Sequence, residues 1–194
     1  MRRAVDIAAV VVVSPFAIPF VALIAALVKL DTPGPIFFRD LRFGYGGLPI
    51  RVVKFRTMVR DAEELKPSLQ PLSILPWPDF KIPNDPRITR VGHWLRRTSL
   101  DELPQLWNIL RGDLTLIGPR PSRIPIERYE LWQTERLEAR PGIFGKWQFE
   151  GRARVNFDDR CRMDIRQVRE RSVRRQLGFA YRTLTAVLQG KGAS

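Results

Sequence analysis

Ile7-Ala-Ala-Val-Val-Val-Val-Ser-Pro-Phe-Ala-Ile-Pro-Phe-Val-Ala-Leu-Ile-Ala-Ala-Leu-Val28 runs 22 residues without a charge, between Asp6 and Lys29. As one helix it would reach about 33 Å, close to the roughly 30 Å hydrocarbon core of a bilayer. Two features argue against a simple span. Ser14-Pro15 and Pro19 lie inside the run, and each proline removes a backbone donor and crowds the preceding turn, so a break is expected near Ser14. The two arms would then measure about 12 Å and about 20 Å, and neither spans alone. Arg2 and Arg3 precede the run while Arg39 and Arg42 follow it, whereas a single span concentrates basic residues on one side. A re-entrant hairpin satisfies length, prolines and charges together: it enters one leaflet, turns at Ser14-Pro15 and leaves by the same face. The Ser14 hydroxyl could satisfy a carbonyl freed by the break. A kinked spanning helix and a buried core helix are the alternatives. A cleaved signal peptide is disfavoured, because no small-x-small site precedes a polar start. The chain thus divides into 1–30, a membrane hairpin, and 31–194, a cytoplasmic domain.

Working outward, the 194 residues carry 33 Lys plus Arg against 20 Asp plus Glu, a net charge of +13 that favours an anionic partner. Arginine accounts for 27 of the 33, and its planar fork grips phosphate or carboxylate bidentately. Cys161 is the single cysteine and His93 the single histidine, which argues against a disulfide framework, a zinc site, a Ser-His-Asp hydrolase and a Cys-His protease. Hydrophobic residues make up 44% of the chain, enough for a core.

Asp31-Thr-Pro-Gly-Pro35 ends the apolar run, and Ile36-Phe37-Phe38 reads as a short strand or an interfacial anchor. Ile50 to Met58 is β-branched and aromatic, so a strand is expected there, with Lys54 and Arg56 on one face by its period of two. Six prolines between Lys66 and Pro86 predict a loop, with Trp77 and Phe80 as candidate interface anchors. Leu103, Leu106, Trp107 and Leu110 fall at i, i+3, i+4 and i+7, predicting an amphipathic helix closed by Gly112. Ser99 with Glu102 suggests a capping box and Pro104 a later start; both place Asp101 and Glu102 in the first turn. Leu114 to Ile117 reads as a short strand entering the rigid turn Gly118-Pro119-Arg120-Pro121. From Arg140 to Arg175 there are 11 basic and 5 acidic residues. Within that block Cys161, Ile165 and Val168 form one helical stripe, which Val173, Leu177, Ala180, Leu184 and Val187 continue. Such a helix lies on an anionic membrane surface or turns its stripe to the core. The fold class expected is α/β, mostly helical with a small strand cluster, together with the re-entrant hairpin and interfacial amphipathic helices.

Asp101-Glu102 is the most suggestive pair. Adjacent carboxylates at a helix start are held ionised by the helix dipole and could bind Mg²⁺ or attack phosphorus, or could serve only as caps. Arg96, Arg97, Arg120, Lys54 and Arg56 offer an anion site beside them.

The ordered set Ser14-Pro15, Asp31-Thr-Pro-Gly-Pro-Ile-Phe-Phe38, Lys54-Phe-Arg-Thr-Met58, Asp85-Pro-Arg-Ile-Thr-Arg90, Thr98-Ser-Leu-Asp-Glu-Leu-Pro-Gln105, Gly118-Pro-Arg-Pro121, Arg140-Pro-Gly142 and Trp147-Gln148 resembles the bacterial sugar transferases. These are the monotopic phosphoglycosyl transferases, here in minimal catalytic form, and the resemblance covers nearly the whole chain. It implies transfer of a sugar 1-phosphate from a nucleotide diphosphate sugar, expected as a UDP-sugar, to polyprenol phosphate. The implied place is the bacterial inner membrane, with the catalytic domain on its cytoplasmic face, at the start of polysaccharide or glycoconjugate assembly. On the same resemblance Asp101 matches the nucleophile that forms a covalent phosphosugar intermediate, Glu102 its dyad partner, and Mg²⁺ the cofactor held at Asp101. Lys54, Arg96, Arg120 and Arg152 match basic positions near the phosphates or nucleotide, and Asp164 an acidic position near the active site. Arg166 and Gln167 stand where the family commonly carries tyrosines, Gln176 where it carries an aspartate, and Ala153 where it carries an asparagine. A homodimer is compatible with this reading. The reading from another class is a membrane-anchored basic protein that binds anionic lipid or nucleic acid without catalysis. No RNP-type aromatic pattern or helix-turn-helix spacing supports nucleic acid.

Overall fold

A computed structural model describes residues 2–75, 80–145, 147 and 156–169. Its longest element is α1 (Arg2–Asp31), 30 residues that continue through Pro15 and Pro19 as one helix about 45 Å long. Helical backbone thus continues through Ser14-Pro15, where the sequence predicts a break. The reason is tertiary: Asp6 and Val10 before the prolines, and Ala17, Ile24 and Val28 after them, are all buried on one stripe. Keeping that stripe packed outweighs the loss of two bonds from a long ladder. The Ser14 hydroxyl donates to the Val10 carbonyl at 2.6 Å, its own helical turn, and not to the Val11 carbonyl that Pro15 leaves free.

Both ends of α1 are fastened to the rest of the chain. Near the start, the Arg3 guanidinium donates to the Ile109 carbonyl and, at 2.6 Å, to the Leu110 carbonyl, while Asp6 accepts from the Thr115 hydroxyl at 2.6 Å and the Leu116 amide at 3.2 Å. At the far end Asp31 accepts from the Val91 amide at 3.1 Å, and buried Arg56 donates to the carbonyls of Thr32 and Pro33 at 2.7 and 2.6 Å. The opposite flank, including Val12, Phe16, Ile18, Phe20 and Leu23, is exposed.

Two small sheets follow. Strands β1 (Phe37–Phe43) and β2 (Pro49–Phe55) pair antiparallel, with Phe37 opposite Phe55 and Asp40 opposite Val52. Strands β3 (Thr115–Ile117) and β4 (Gly142–Phe144) pair in parallel, Thr115 opposite Gly142. Between them lie the short α2 (Lys66–Leu69), then α3 (Arg90–Thr98) and α4 (Gln105–Arg111), and α5 (Phe157–Arg169) closes the described chain. Val10 of α1 joins Val52, Ile109, Leu114 and Ile143 in one core; Ile24 and Val28 join Phe55 and Leu95 in another. The mostly helical fold with a small strand cluster is as the sequence predicts.

Local details differ from the sequence reading. Asp101 and Glu102 do not begin the amphipathic helix. They sit in a separate 3₁₀ turn, Leu100–Glu102, and Ser99, the left-handed C-cap of α3 (φ 57°), precedes that turn without a side-chain cap bond to it. Trp107 and Leu110 are exposed, while Asn108 and Ile109 are buried. Asn108 acts as a surrogate strand for the free edge of β2: its Oδ1 accepts from the Val53 amide at 2.9 Å, and its Nδ2 donates to the Arg51 carbonyl at 2.8 Å. Helix α3 starts at Thr89, whose hydroxyl accepts from the Gly92 amide at 3.0 Å. In α5, Cys161 and Ile165 are buried, so its apolar stripe faces the core and not a membrane surface; residues 173–187 lie outside the described part. Phe80 is covered by Lys66 and Arg87 at 5.5 and 5.0 Å from its ring centre, so it is not a free anchor. Trp77 lies outside the described residues.

Candidate active site

The 3₁₀ turn places Asp101 and Glu102 between strand β2 and the turn after β3. Glu102 is enclosed by cations: Lys54 Nζ lies 3.1 Å from its Oε1, and both terminal nitrogens of Arg120 donate to it, one to Oε1 and the other to Oε2 at 3.3 Å. Burial pushes this carboxyl up, but Arg120 and Lys54 outweigh it and hold Glu102 well below the usual carboxylate range. Asp101 differs. It forms no hydrogen bond or salt bridge to a described residue, and burial pushes its carboxyl above the ordinary 3.8 against the pull of Lys54, with the Glu102 charge adding to the rise. Burial likewise lowers the Lys54 ammonium, opposed by Glu102.

Asp101, Lys54, Arg96 and Arg120 line one cleft of about 1290 Å³, together with Arg42 and Arg123. Arg96 projects from α3 and its Nε donates to the Thr57 hydroxyl at 2.9 Å. That contact depends on Gly92, one helical turn earlier: a Cβ there would lie 2.1 Å from the Thr57 carbonyl oxygen, so only glycine lets α3 seat on the end of β2. Arg120 is positioned by a second close approach, since a Cβ on Gly142 would fall 2.1 Å from the Gly118 amide nitrogen.

The structure thus brings Lys54, Arg96, Arg120, Asp101 and Glu102 together, with Asp101 and not Glu102 in the cleft wall. Arg56 also lines the cleft, but β2 ends at Phe55 and the Arg56 guanidinium is engaged by the Thr32 and Pro33 carbonyls at the end of α1. Asp164 is elsewhere. It is fully buried on α5, ion-paired with Arg136, and does not line the cleft. Arg152 lies outside the described residues, and Ser14 and Pro15 lie within α1. The sequence reading passed over Asp40, Arg42 and Arg123, in which Asp40 accepts from Arg42 Nε at 2.7 Å and Arg123 Nε at 3.2 Å. The period of two along β1 puts Asp40 and Arg42 on one face and could have found that pair.

Among the described residues no three His, Cys, Asp or Glu side chains cluster as a closed metal cage. Both Glu102 oxygens are taken by cations, whereas Asp101 lines the cleft with no bonding partner among the described residues. This donor set fits a magnesium ion of the kind held by one or two carboxylates plus substrate phosphates.

The sequence profile of the bacterial sugar transferases matches residues 1–190. The chain belongs to the bacterial sugar transferase family. The chain is 36% identical to the exopolysaccharide production protein ExoY of Rhizobium meliloti, covering 99% of this chain and 87% of that one. It is 35% identical to the UDP-galactose-lipid carrier transferase of Erwinia amylovora, over 100% of this chain and 41% of the relative. It is 38% identical to the UDP-glucose:undecaprenyl-phosphate glucose-1-phosphate transferase of Escherichia coli, over 89% of this chain and 37% of the relative. The chain therefore spans about two fifths of the length of the latter two relatives.

Proposed function

We propose that this sugar transferase moves a sugar 1-phosphate from a nucleotide diphosphate sugar to polyprenol phosphate, in two displacements at phosphorus. The observation that carries the reading is the contrast within the dyad: Asp101, without a hydrogen-bond or ion-pair partner among the described residues, lies in a cleft walled by Lys54, Arg96 and Arg120, while its neighbour is neutralised by two of those cations. In the first displacement an Asp101 oxygen bonds to the sugar-bearing phosphorus, the bond to the bridging oxygen breaks, and nucleoside monophosphate leaves with that electron pair. In the second, a polyprenol phosphate oxygen attacks the same phosphorus and the Asp101 carboxylate is released. A diphosphate repels a carboxylate, and Arg96, Arg120 and Lys54 offset that repulsion in a partly dry cleft. Bound magnesium, held by Asp101 and the phosphates, would add charge neutralisation of the same kind. Names of relatives that act on UDP-sugars and undecaprenyl phosphate support both substrate classes.

The acceptor is a lipid, and α1 supplies the seat for it. The ties of Arg3, Asp6 and Asp31 to one body support a placement with both ends of α1 on one face of a membrane. Its exposed flank enters the acyl region of a single leaflet as a monotopic anchor, on the cytoplasmic side of the inner membrane where nucleotide sugars are made. Cysteines introduced as Ala4→Cys and Leu48→Cys should react with an impermeant maleimide from the same side; opposite sides would refute the monotopic reading.

The test of the reaction is nucleoside monophosphate release from a panel of nucleotide diphosphate sugars, with polyprenol phosphate and Mg²⁺ in detergent. Release should require Mg²⁺ and be lost in Asp101→Asn. Full activity in Asp101→Asn, or no release by folded wild type from any donor, would overturn it.

A further inference from the structure

The turn that carries Arg120 is unusual in how it is held. Pro119 and Pro121 flank Arg120 and have no N–H, so the turn can donate little to its surroundings. It is gripped instead by its carbonyls, three in a row, each by a donor from a different part of the chain. The Gly142 amide donates to Pro119 at 2.9 Å, Arg136 Nη2 to Arg120 at 2.9 Å, and Arg42 Nη1 to Pro121 at 3.2 Å. The middle grip comes from a side chain that is itself 4% exposed. The same Arg136 nitrogen also donates to Asp164, which is 0% exposed on α5, and the guanidinium lies over the Phe157 ring at 5.8 Å.

This buried pair is costly as a stabilising device. Asp164 Oδ1 and Arg136 Nε are both buried without a partner among the described residues, and two ions removed from water repay their desolvation only when fully satisfied. What the pair does achieve is geometric: it fixes a forked donor under the Arg120 carbonyl.

We infer that Arg136 is a positioning residue, which ties the Arg120 carbonyl to Asp164 on α5 and so holds the Arg120 guanidinium on Glu102, in the cleft beside Asp101. The inference rests on the reading of that cleft as the active site. It gives α5, which contributes no described side chain to the dyad, a direct hold on catalytic geometry.

The test is Arg136→Lys, which keeps a positive charge for Asp164 but replaces the planar guanidinium, whose Nη2 serves both acceptors while Nη1 donates to the Tyr129 hydroxyl, with a single ammonium of shorter reach. Hydrogen exchange followed by mass spectrometry should show the segment 118–124 exchanging at least tenfold faster, with α4 unchanged. Turnover should fall about tenfold, and the loss should vanish on an Arg120→Lys background, because both changes act through one guanidinium. A general loss of stability would instead speed exchange everywhere and would add to Arg120→Lys. Should Arg136→Lys not fold, the double replacement Arg136→Met with Asp164→Leu, which removes both charges, should fold and show the same local exchange. Wild-type protection of 118–124 in either folded variant, or additive losses with Arg120→Lys, overturns the inference. Absence of nucleotide release in wild type would strike the proposed reaction, while the exchange result would still decide the positioning role.

Discussion

Replacing Gly92 with alanine tests how closely the site depends on the seating of α3. The added Cβ would stand 2.1 Å from the Thr57 carbonyl oxygen and 2.8 Å from its carbon, where ordinary contact begins at 3.4 Å. The obstacle is backbone, so the helix must withdraw by about 1 Å. Arg96 lies one turn along the same face, and its 2.9 Å bond to the Thr57 hydroxyl would open beyond hydrogen-bonding range. A hydrogen bond to a charged group contributes about 1.5–3 kcal/mol, so loss of Arg96 from its place should cut kcat/KM by roughly 10- to 150-fold. Stability should change less: overpacking costs about 1–3 kcal/mol, and the helical gain of alanine over glycine returns about 1 kcal/mol. The expected signature is a steep loss of nucleoside monophosphate release with a midpoint shift of a few degrees, measured in the same detergent. Activity within twofold of wild type in Gly92→Ala would refute the claim that this close approach positions Arg96.

Four further outcomes are expected. Asn108→Ala strips the Val53 amide and the Arg51 carbonyl of their partner and should cost about 3 kcal/mol in denaturant unfolding; a loss under about 1 kcal/mol would argue that water replaces it. Burial lifts the Asp164 carboxyl from 3.8 to about 6, against the pull of Arg136, so between those values the folded state keeps a proton that the unfolded chain has released, and stability falls as pH rises. Relative to Asp164→Asn, wild type should lose about 3 kcal/mol between about pH 4 and pH 7, and parallel pH curves would contradict this. Ile24→Ala, in the core at 1% exposure, should destabilise by about 2–5 kcal/mol. Leu23→Ser, at 59% exposure, should leave detergent stability alone and weaken binding to anionic vesicles; the reverse pattern would place the wrong flank of α1 in lipid.

Much of the architecture was open to reading from local pattern. The apolar run, the strand before Gly118 and the turn at Asp31 to Pro35 announce themselves through composition, proline chemistry and spacing, whereas the dyad with Lys54 and Arg120 is singled out by the resemblance of its motifs. The misreadings share a physical cause, which is that long-range packing overrode a local preference. Two prolines argue for a break in α1, yet buried residues on both sides hold it as one helix. Ser99 and Glu102 have the spacing of a capping box, yet the chain uses Ser99 to end α3. Lys54 and Arg56 share a strand parity, but the strand stops between them. The pairing of Arg136 with Asp164 spans 28 residues and leaves no periodic trace, so no local rule could find it.

The tethers on Arg3 have a consequence for how the protein is made. Its partner carbonyls lie 106 and 107 residues further along the chain, and Asp6 waits as long for Thr115. At synthesis rates of about 5–20 residues per second, α1 leaves the ribosome roughly 5–20 s before those partners exist. Through that interval its valine and phenylalanine flank has no protein surface to cover any of it. A lipid surface reached during translation would shelter the helix until the domain closes on its other side. On the monotopic reading, membrane attachment would precede closure of the domain, which would then fold down onto a helix already in place.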